Sequence, residues 1–207
     1  MSVAGAVRAF QHNTGENTII MSIAVAVHKG QDLVIAADTQ DSFGSNRVSF
    51  ENYRSKKIIS IGDSYVATSG WGLYEDILSD YLASREHVPL NTKPQIFAFF
   101  MKFWKDLHEH YSFVKDQTDD DEASPFGELD SSFLIVNQRG IFYVSSNMSI
   151  TKFEQYFAIG SGANFSLGTM YALYNLNYSA EEIARKAIEA AVTFNVLCGG
   201  SIDLFHI

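Results

Sequence analysis

The sequence is poor in several kinds of residue that mark particular classes of protein. Its 207 residues include one cysteine, Cys198, which excludes an internal disulfide framework and gives no sign of an oxidising compartment. Basic residues are also scarce: 15 Lys and Arg stand against 24 Asp and Glu, for a net charge of −9. Phosphate binding needs clustered basic side chains, so nucleic acid is not expected as a partner.

Long apolar runs are missing as well. A membrane-spanning helix needs about 20 apolar residues, and the run at residues 19–27 is too short and is interrupted by Ser22. The N-terminus lacks a signal-peptide pattern, because polar residues 11–17 follow Arg8 where an apolar stretch would be needed. We therefore expect a cytoplasmic, soluble protein with no membrane contact.

Apolar residues nevertheless make up 46% of the chain, and they follow two kinds of spacing along the sequence. Short strand-like runs bounded by turn residues alternate with stretches of three-and-four spacing that predict helices. Strands are predicted over residues 22–28, 33–39, 53–61, 65–68, 131–136, 140–145, 155–159 and 202–206. Helices are predicted over residues 71–82, 94–114, 162–175 and 179–196.

This order of elements indicates how the chain is organised. Runs of strands that alternate with pairs of helices suggest sheets packed together with helices outside them. Residues 1–21 are polar in their second half and are predicted to be an N-terminal extension or leader. Residues 22–207 show no linker or repeat and are predicted to form one domain.

The first predicted hairpin brings a hydroxyl and a carboxylate to one edge of a sheet. If its turn is centred on Gly30 and Gln31, residues whose numbers sum to about 60 or 61 face each other. Ser22 then lies opposite Asp38 and Thr39. A hydroxyl needs a base before it can act as a nucleophile, and a lysine or a free α-amine can serve.

Two later residues complete a chemically sensible group with Ser22 and Asp38. Lys57 lies on the next strand-like run, where Asp38 would hold its ammonium group charged and oriented. A backbone N–H from Gly70 could stabilise an oxyanion. Such a group on its own is more often a surface hydrogen-bond cluster, so these residues alone do not establish catalysis.

Five segments, in this order, resemble proteasome subunits and the peptidase component of the bacterial two-part ATP-dependent protease. The resemblance spans about residue 22 to the C-terminus, with gaps and an unmatched acidic loop. It implies a four-layer αββα sandwich of the α+β class, the N-terminal nucleophile hydrolase fold, with two mostly antiparallel sheets flanked by helices. The segments are Leu-Val-Ile-Ala-Ala-Asp38, Ser-Lys-Lys57-Ile, Thr-Ser-Gly70, Ala-Ile-Gly-Ser-Gly162 and Gly199-Gly-Ser-Ile-Asp-Leu.

The resemblance also assigns roles to individual residues. Asp38 and Lys57 match the family's catalytic acid and lysine, Gly70 matches its oxyanion-hole glycine, and Ser161 matches a serine that supports the nucleophile's amine. Ser22 takes the place of the catalytic threonine. A ring of identical subunits, a polypeptide substrate and an ATP-dependent unfoldase partner are implied in the same way, with no cofactor.

Four departures keep other functions open, and one of them is a spacing from Asp38 to Lys57 that is a few residues longer than the family's. Met21 precedes Ser22 where self-cleaving family members have glycine. Asn195 and Cys198 match a family carboxylate and serine. The first hypothesis is therefore a threonine-type peptidase that uses serine, the second is a catalytically silent structural or gating subunit with an uncut N-terminus, and the third is a small-molecule amidase.

Other motifs favour structural explanations. His108 and His110 fall on different faces of a predicted helix, which argues against a metal site. Gly160 and Gly162 lack the further glycine of a dinucleotide-binding loop. We therefore predict neither a metal nor a cofactor.

Overall fold

The computed structural model describes residues 22–43, 46–49, 51–70, 73–83, 85, 88–111, 127–129 and 131–207. The predicted N-terminal extension and the acidic run at residues 119–122 lie outside the described residues. In chain order the elements are β1 (Ile23–Lys29), β2 (Asp32–Asp38), β3 (Ser42–Phe43), β4 (Asn46–Arg47), β5 (Ile58–Ile61), β6 (Ser64–Gly70), α1 (Leu73–Ala83), α2 (Lys93–His110), β7 (Ser131–Asn137), β8 (Gly140–Val144), β9 (Ile150–Phe153), β10 (Tyr156–Gly160), α3 (Ala163–Leu173), α4 (Ala180–Phe194) and β11 (Ile202–His206).

Two main antiparallel sheets carry the fold. The first has the strand order β10-β1-β2-β11, and the second has the order β5-β6-β7-β8-β9. In the first hairpin Ala24 pairs with Ala37, so facing residue numbers sum to 61, as the turn at Gly30 predicted. β3 and β4 form a separate short pair.

Strand alternation sorts the apolar residues into three buried layers. Ala26 and Ile35 of the first sheet pack against Leu134 and Ile141 of the second, and this contact joins the two sheets face to face. The outer face of the first sheet packs on α3 and α4, and the outer face of the second packs on α1 and α2. The result is the four-layer αββα sandwich, an α+β fold.

The helix signals in the sequence have clear structural counterparts. Pro94 lies in the first turn of α2, where its missing N–H costs nothing. Ser179 and Glu182 form the predicted capping box at the start of α4, with both reciprocal hydrogen bonds present. Among the described residues, no helix has the length and apolarity needed to span a membrane.

Some predicted boundaries were wrong. α2 ends at His110, because Tyr111 is extended, and α3 ends at Leu173. The predicted strand at residues 53–61 begins only at Ile58. The residues before it cross from one sheet to the other: the Ser55 N–H binds the Thr39 carbonyl beyond β2, and the Lys57 carbonyl accepts from Thr68 in β6. Strands β3, β4 and β9 were not predicted.

Candidate active site

A buried ion pair lies where the two sheets meet. Lys57 Nζ donates to Asp38 Oδ1 at 2.5 Å, and both side chains are almost fully buried. The same carboxylate oxygen accepts from the Ile23 N–H at 3.1 Å, and Oδ2 accepts from the Gly199 N–H at 2.9 Å. Asp38 thus has a cation and two backbone donors, which is the compensation that a buried carboxylate requires.

The elements explain why this pair forms. Asp38 is the last residue of β2 and Lys57 immediately precedes β5, at the point where the chain crosses between the sheets. The predicted contact between the two side chains is therefore present, although Lys57 precedes its strand and does not belong to it.

Ser22 lies directly before β1 and is buried, at 5% exposure. Its carbonyl faces the turn before α3, where Ser161 Oγ lies at 3.4 Å and the Gly162 N–H at 3.5 Å. Ile23, the next residue, donates its N–H to Asp38. The peptide unit that joins Ser22 to Ile23 is therefore held by two of the predicted site residues, Ser161 and Asp38.

Gly160 is required for this close approach. Its φ is +104°, a conformation that side-chain-bearing residues rarely adopt, and a β-carbon there would lie 2.1 Å from the Ser22 carbonyl oxygen. Only a glycine at this end of β10 leaves room for the Ser22 backbone.

Gly70 is the last residue of β6 and pairs with Ser131 of β7. Thr68 donates its N–H to the Lys57 carbonyl at 3.4 Å. N–H groups two residues apart in a strand point to the same side. The Gly70 N–H therefore points to the side of β6 on which Lys57 lies. β5 begins only at Ile58, which pairs with Ala67, so no β5 residue lies opposite Gly70.

Cys198, one of the departures from the family pattern, lies beside the site. Cys198 is buried, with Sγ 3.7 Å from Ser161 Oγ. Burial raises the pKa of the Cys198 thiol, and the negative charge of Asp38 raises it further. Asn195 ends α4, and its side-chain oxygen accepts the Leu197 N–H at 2.9 Å, so it shapes the turn that follows the helix.

Sequence reasoning missed the backbone donors to Asp38. The residue types at Ile23 and Gly199 do not indicate that their N–H groups bind a carboxylate, because every residue except proline carries a backbone N–H. The pair Gly199-Gly200 was used only as part of a matched segment, although a glycine pair also signals close backbone approach.

A possible metal-ligand group lies elsewhere, at the end of α2. Ligand atoms of Asp106, Glu109 and His110 lie within 4.8 Å of one another. However, Asp106 is already paired with Arg85 at 2.9 Å, and Glu109 is exposed and lies 3.5 Å from Lys105. We therefore assign no metal to this exposed group, and His108 is not part of it.

Solved structures show what this arrangement is similar to. The structure of Thiobacillus denitrificans BPH shares 33% sequence identity with a TM-score of 0.80, over 89% of this chain and 97% of that one. The chain belongs to the proteasome-type family of N-terminal nucleophile hydrolases. The crystal structure of eukaryotic HslV from Trypanosoma brucei, at 19% identity and a TM-score of 0.64, covers 89% of this chain and 98% of its own and has the same fold.

Curated relatives of the family agree. The proteasome subunit beta of Nanoarchaeum equitans is 24% identical over 194 residues, which are 90% of this chain and 93% of the relative. The ATP-dependent protease subunit HslV of Bartonella quintana is 28% identical over 171 residues, 81% of this chain and 79% of the relative. A scan of protein-family models found no match.

Proposed function

We propose that this chain is the peptidase subunit of a self-compartmentalising ring protease, and that Ser22, once it is the N-terminal residue, is the nucleophile. The observation that carries the proposal is the buried Lys57–Asp38 ion pair, which also binds the backbone N–H of the residue after Ser22. A proteasome-type fold with this pair beside the first strand supports amide hydrolysis.

The chemistry follows from the groups present. The free α-amine of Ser22 has an ordinary pKa of about 7.7–8.0 and takes the hydroxyl proton near neutral pH. The Ser22 oxygen then attacks the amide carbonyl, while the Lys57 ammonium group favours the developing negative charge. The Gly70 N–H is a candidate donor to the oxyanion. The protonated amine gives its proton to the leaving amine, and water then hydrolyses the ester and restores the hydroxyl.

The N-terminus decides whether this chemistry is available. In the full sequence the Ser22 nitrogen is bound to Met21 in a peptide bond and cannot accept a proton. Self-cleavage, or synthesis from Met21 followed by methionine removal, would free it. Intact-mass measurement on protein from its source would show whether the active form begins at Ser22.

Three variants of a chain that starts at Met21-Ser22 test the proposal. The chain should cleave a fluorogenic peptide amide, and Ser22→Ala should reduce kcat by at least about 1000-fold. Ser22→Thr should keep activity because threonine supplies the same hydroxyl, and Ser60→Ala, at an exposed position of β5, should leave kcat unchanged. Equal kcat for Ser22→Ala and the unsubstituted chain would disprove the nucleophile assignment.

Epoxomicin offers a second probe. The relative BPH has been solved in complex with it. A ligand that binds the folded state raises Tm by mass action. We expect epoxomicin to raise the Tm of the chain that starts at Ser22, and to raise it much less for the full chain, in which the Ser22 amine is blocked.

The catalytically silent subunit is the second candidate, and one feature favours it: Asn195 and Cys198 replace a carboxylate and a serine of the family pattern. Inactivity of both the cut and uncut chains, with assemblies intact, would establish this alternative. Cleavage of small amides but not of peptides would instead support the amidase hypothesis.

Self-association is part of the proposal. The curated relatives are named as subunits, and the outer face of α3 and α4 exposes aromatic side chains. Phe165 and Phe194 stack on each other there, at 42% and 69% exposure. Exposed apolar patches of this kind mark protein–protein contacts. We propose that a second copy of the chain covers this face, and that an ATP-dependent unfoldase supplies polypeptide substrates to the ring.

A further inference from the structure

We propose that Thr39 is a positioning residue of the candidate site, whose buried hydroxyl holds the turn at residues 199–201 so that the Gly199 N–H stays on Asp38. The consequence for catalysis rests on the proposed function, whereas the structural part does not. Thr39 follows Asp38 directly and is 1% exposed.

Thr39 and Ser201 are joined by three hydrogen bonds. Thr39 Oγ1 accepts the Ser201 N–H at 2.9 Å and also lies 2.9 Å from Ser201 Oγ. The Thr39 N–H donates to the Ser201 carbonyl at 3.0 Å. Two of these contacts depend on the Thr39 hydroxyl, so it contributes directly to the placement of the turn.

The turn lies too close to Thr39 to shift toward it. Gly200 has a φ of +76°, and a β-carbon there would lie 2.6 Å from Thr39 Oγ1. A β-carbon at Gly199 would lie 2.0 Å from Gln40 Oε1. Both glycines therefore let the turn pack directly on the residues that follow β2.

The Gly199 N–H matters because the carboxylate torsion of aspartate is soft. Rotation about the last torsion of an Asp side chain has broad minima, so hydrogen bonds decide where each oxygen points. Oδ2 of Asp38 accepts from Gly199 at 2.9 Å, and Oδ1 then faces Lys57 and Ile23. If the turn moves away, Oδ2 loses this donor and Oδ1 loses its fixed direction toward Lys57.

The backbone of Thr39 contacts the lysine segment too. Its carbonyl accepts the Ser55 N–H at 3.2 Å, two residues before Lys57. Thr39 is thus hydrogen-bonded both to the segment that leads to Lys57 and to the turn that contains Gly199. The hydroxyl is the part of this arrangement that substitution can remove while the backbone contacts remain.

The first test compares Thr39→Val with Thr39→Ser in the chain that starts at Ser22. Valine keeps the branched shape and removes the hydroxyl, while serine restores it. We expect Thr39→Val to lower kcat by about 10-fold or more with KM within about 2-fold, because small misplacements of catalytic groups are costly.

Thr39→Ser should recover most of kcat, and Ser201→Ala should lower kcat less than Thr39→Val because the Ser201 N–H still reaches Thr39 Oγ1. An unchanged kcat in Thr39→Val, or equal losses in the valine and serine variants, would overturn the inference.

The second test does not depend on activity. Hydrogen–deuterium exchange of the full chain, read by mass spectrometry, should show faster exchange over residues 195–201 in Thr39→Val, by about 10-fold or more if the turn opens locally. Exchange over α4, at residues 180–194, should stay unchanged and is the internal control for folding. Unchanged exchange over 195–201 would refute the positioning role, whether or not the enzyme is active. If the unsubstituted chain that starts at Ser22 cleaves no peptide, the proposed function fails, and the exchange result still decides the role of Thr39.

Discussion

Lys57 and Asp38 form an ion pair of 2.5 Å, and their side chains are 4% and 0% exposed. A pair this deeply buried adds little stability by itself, because both groups lose their hydration. Removing one partner is different, since the other charge then remains buried without compensation. The pair is therefore a sensitive reporter of the site's integrity.

We predict that Asp38→Asn lowers the free energy of unfolding by about 3–5 kcal/mol, because it leaves the Lys57 ammonium group without a counter-charge. Urea denaturation at pH 7 measures this change. Adding Lys57→Met to Asp38→Asn should recover part of the loss. Lys56→Ala, at the exposed neighbouring position, should stay within about 0.5 kcal/mol of the unsubstituted protein. Similar effects of Asp38→Asn and Lys56→Ala would contradict the buried pair.

Glycine substitutions should have opposite effects at two positions. Gly160→Ala places a β-carbon 2.1 Å from the Ser22 carbonyl oxygen at a positive φ, and should cost at least about 2 kcal/mol of stability. Gly168→Ala lies on the outer face of α3 with no atom of the same chain within 4 Å of the added carbon, and should stabilise the helix of the unassembled chain by up to about 1 kcal/mol. Thermal unfolding of the two variants checks both signs, and a neutral Gly160→Ala would show that the Ser22 backbone is not confined there.

The α4 capping box predicts a defined pH dependence. Ser179→Ala should lower the free energy of unfolding by about 1 kcal/mol. The Ser179 backbone N–H is the main cause that lowers the pKa of Glu182 below its ordinary value of 4.5. A carboxylate with a lowered folded-state pKa stabilises the fold above the unfolded pKa, and the effect is lost as pH falls through the folded pKa.

Glu182→Gln isolates the charge in this capping box. Its Tm should fall below that of the unsubstituted protein at pH 7, and the difference should disappear in strongly acidic buffer, well below pH 4.5. Glu189→Gln, at another exposed position of α4, is the matched control and should show little difference at either pH. A constant difference across this pH range would mean that the charge of Glu182 is not involved.

The exposed aromatic face of α3 and α4 predicts how assembly can be disrupted. Phe165→Glu combined with Phe194→Glu should convert the assembly into smaller species, because carboxylates resist burial in an apolar contact. Tyr53→Glu, at an exposed aromatic position elsewhere, is the control and should leave the assembly intact. Native mass spectrometry at micromolar concentration measures both outcomes. A stable monomer of the unsubstituted protein would rule out the proposed ring.

Local signals in the sequence were enough to predict many of the strands and helices. The turn at Gly30 set the register of the first hairpin, and Ser179 with Glu182 set the start of α4. These features form between residues a few positions apart, so residue type and spacing contain the information. The order of matched segments supplied the family and with it the sandwich fold.

Only the tertiary structure decided how the candidate site is held together. Asp38 binds the Gly199 N–H across 161 residues of sequence, and Thr39 binds Ser201 across 162. Residues 53–57 have a strand-like sequence, but their backbone hydrogen bonds go to two different layers, one to Thr39 after β2 and one to Thr68 in β6. A backbone N–H has the same chemistry in every residue except proline, so sequence alone cannot show which of them reaches a buried carboxylate. That depends on how the two sheets pack against each other.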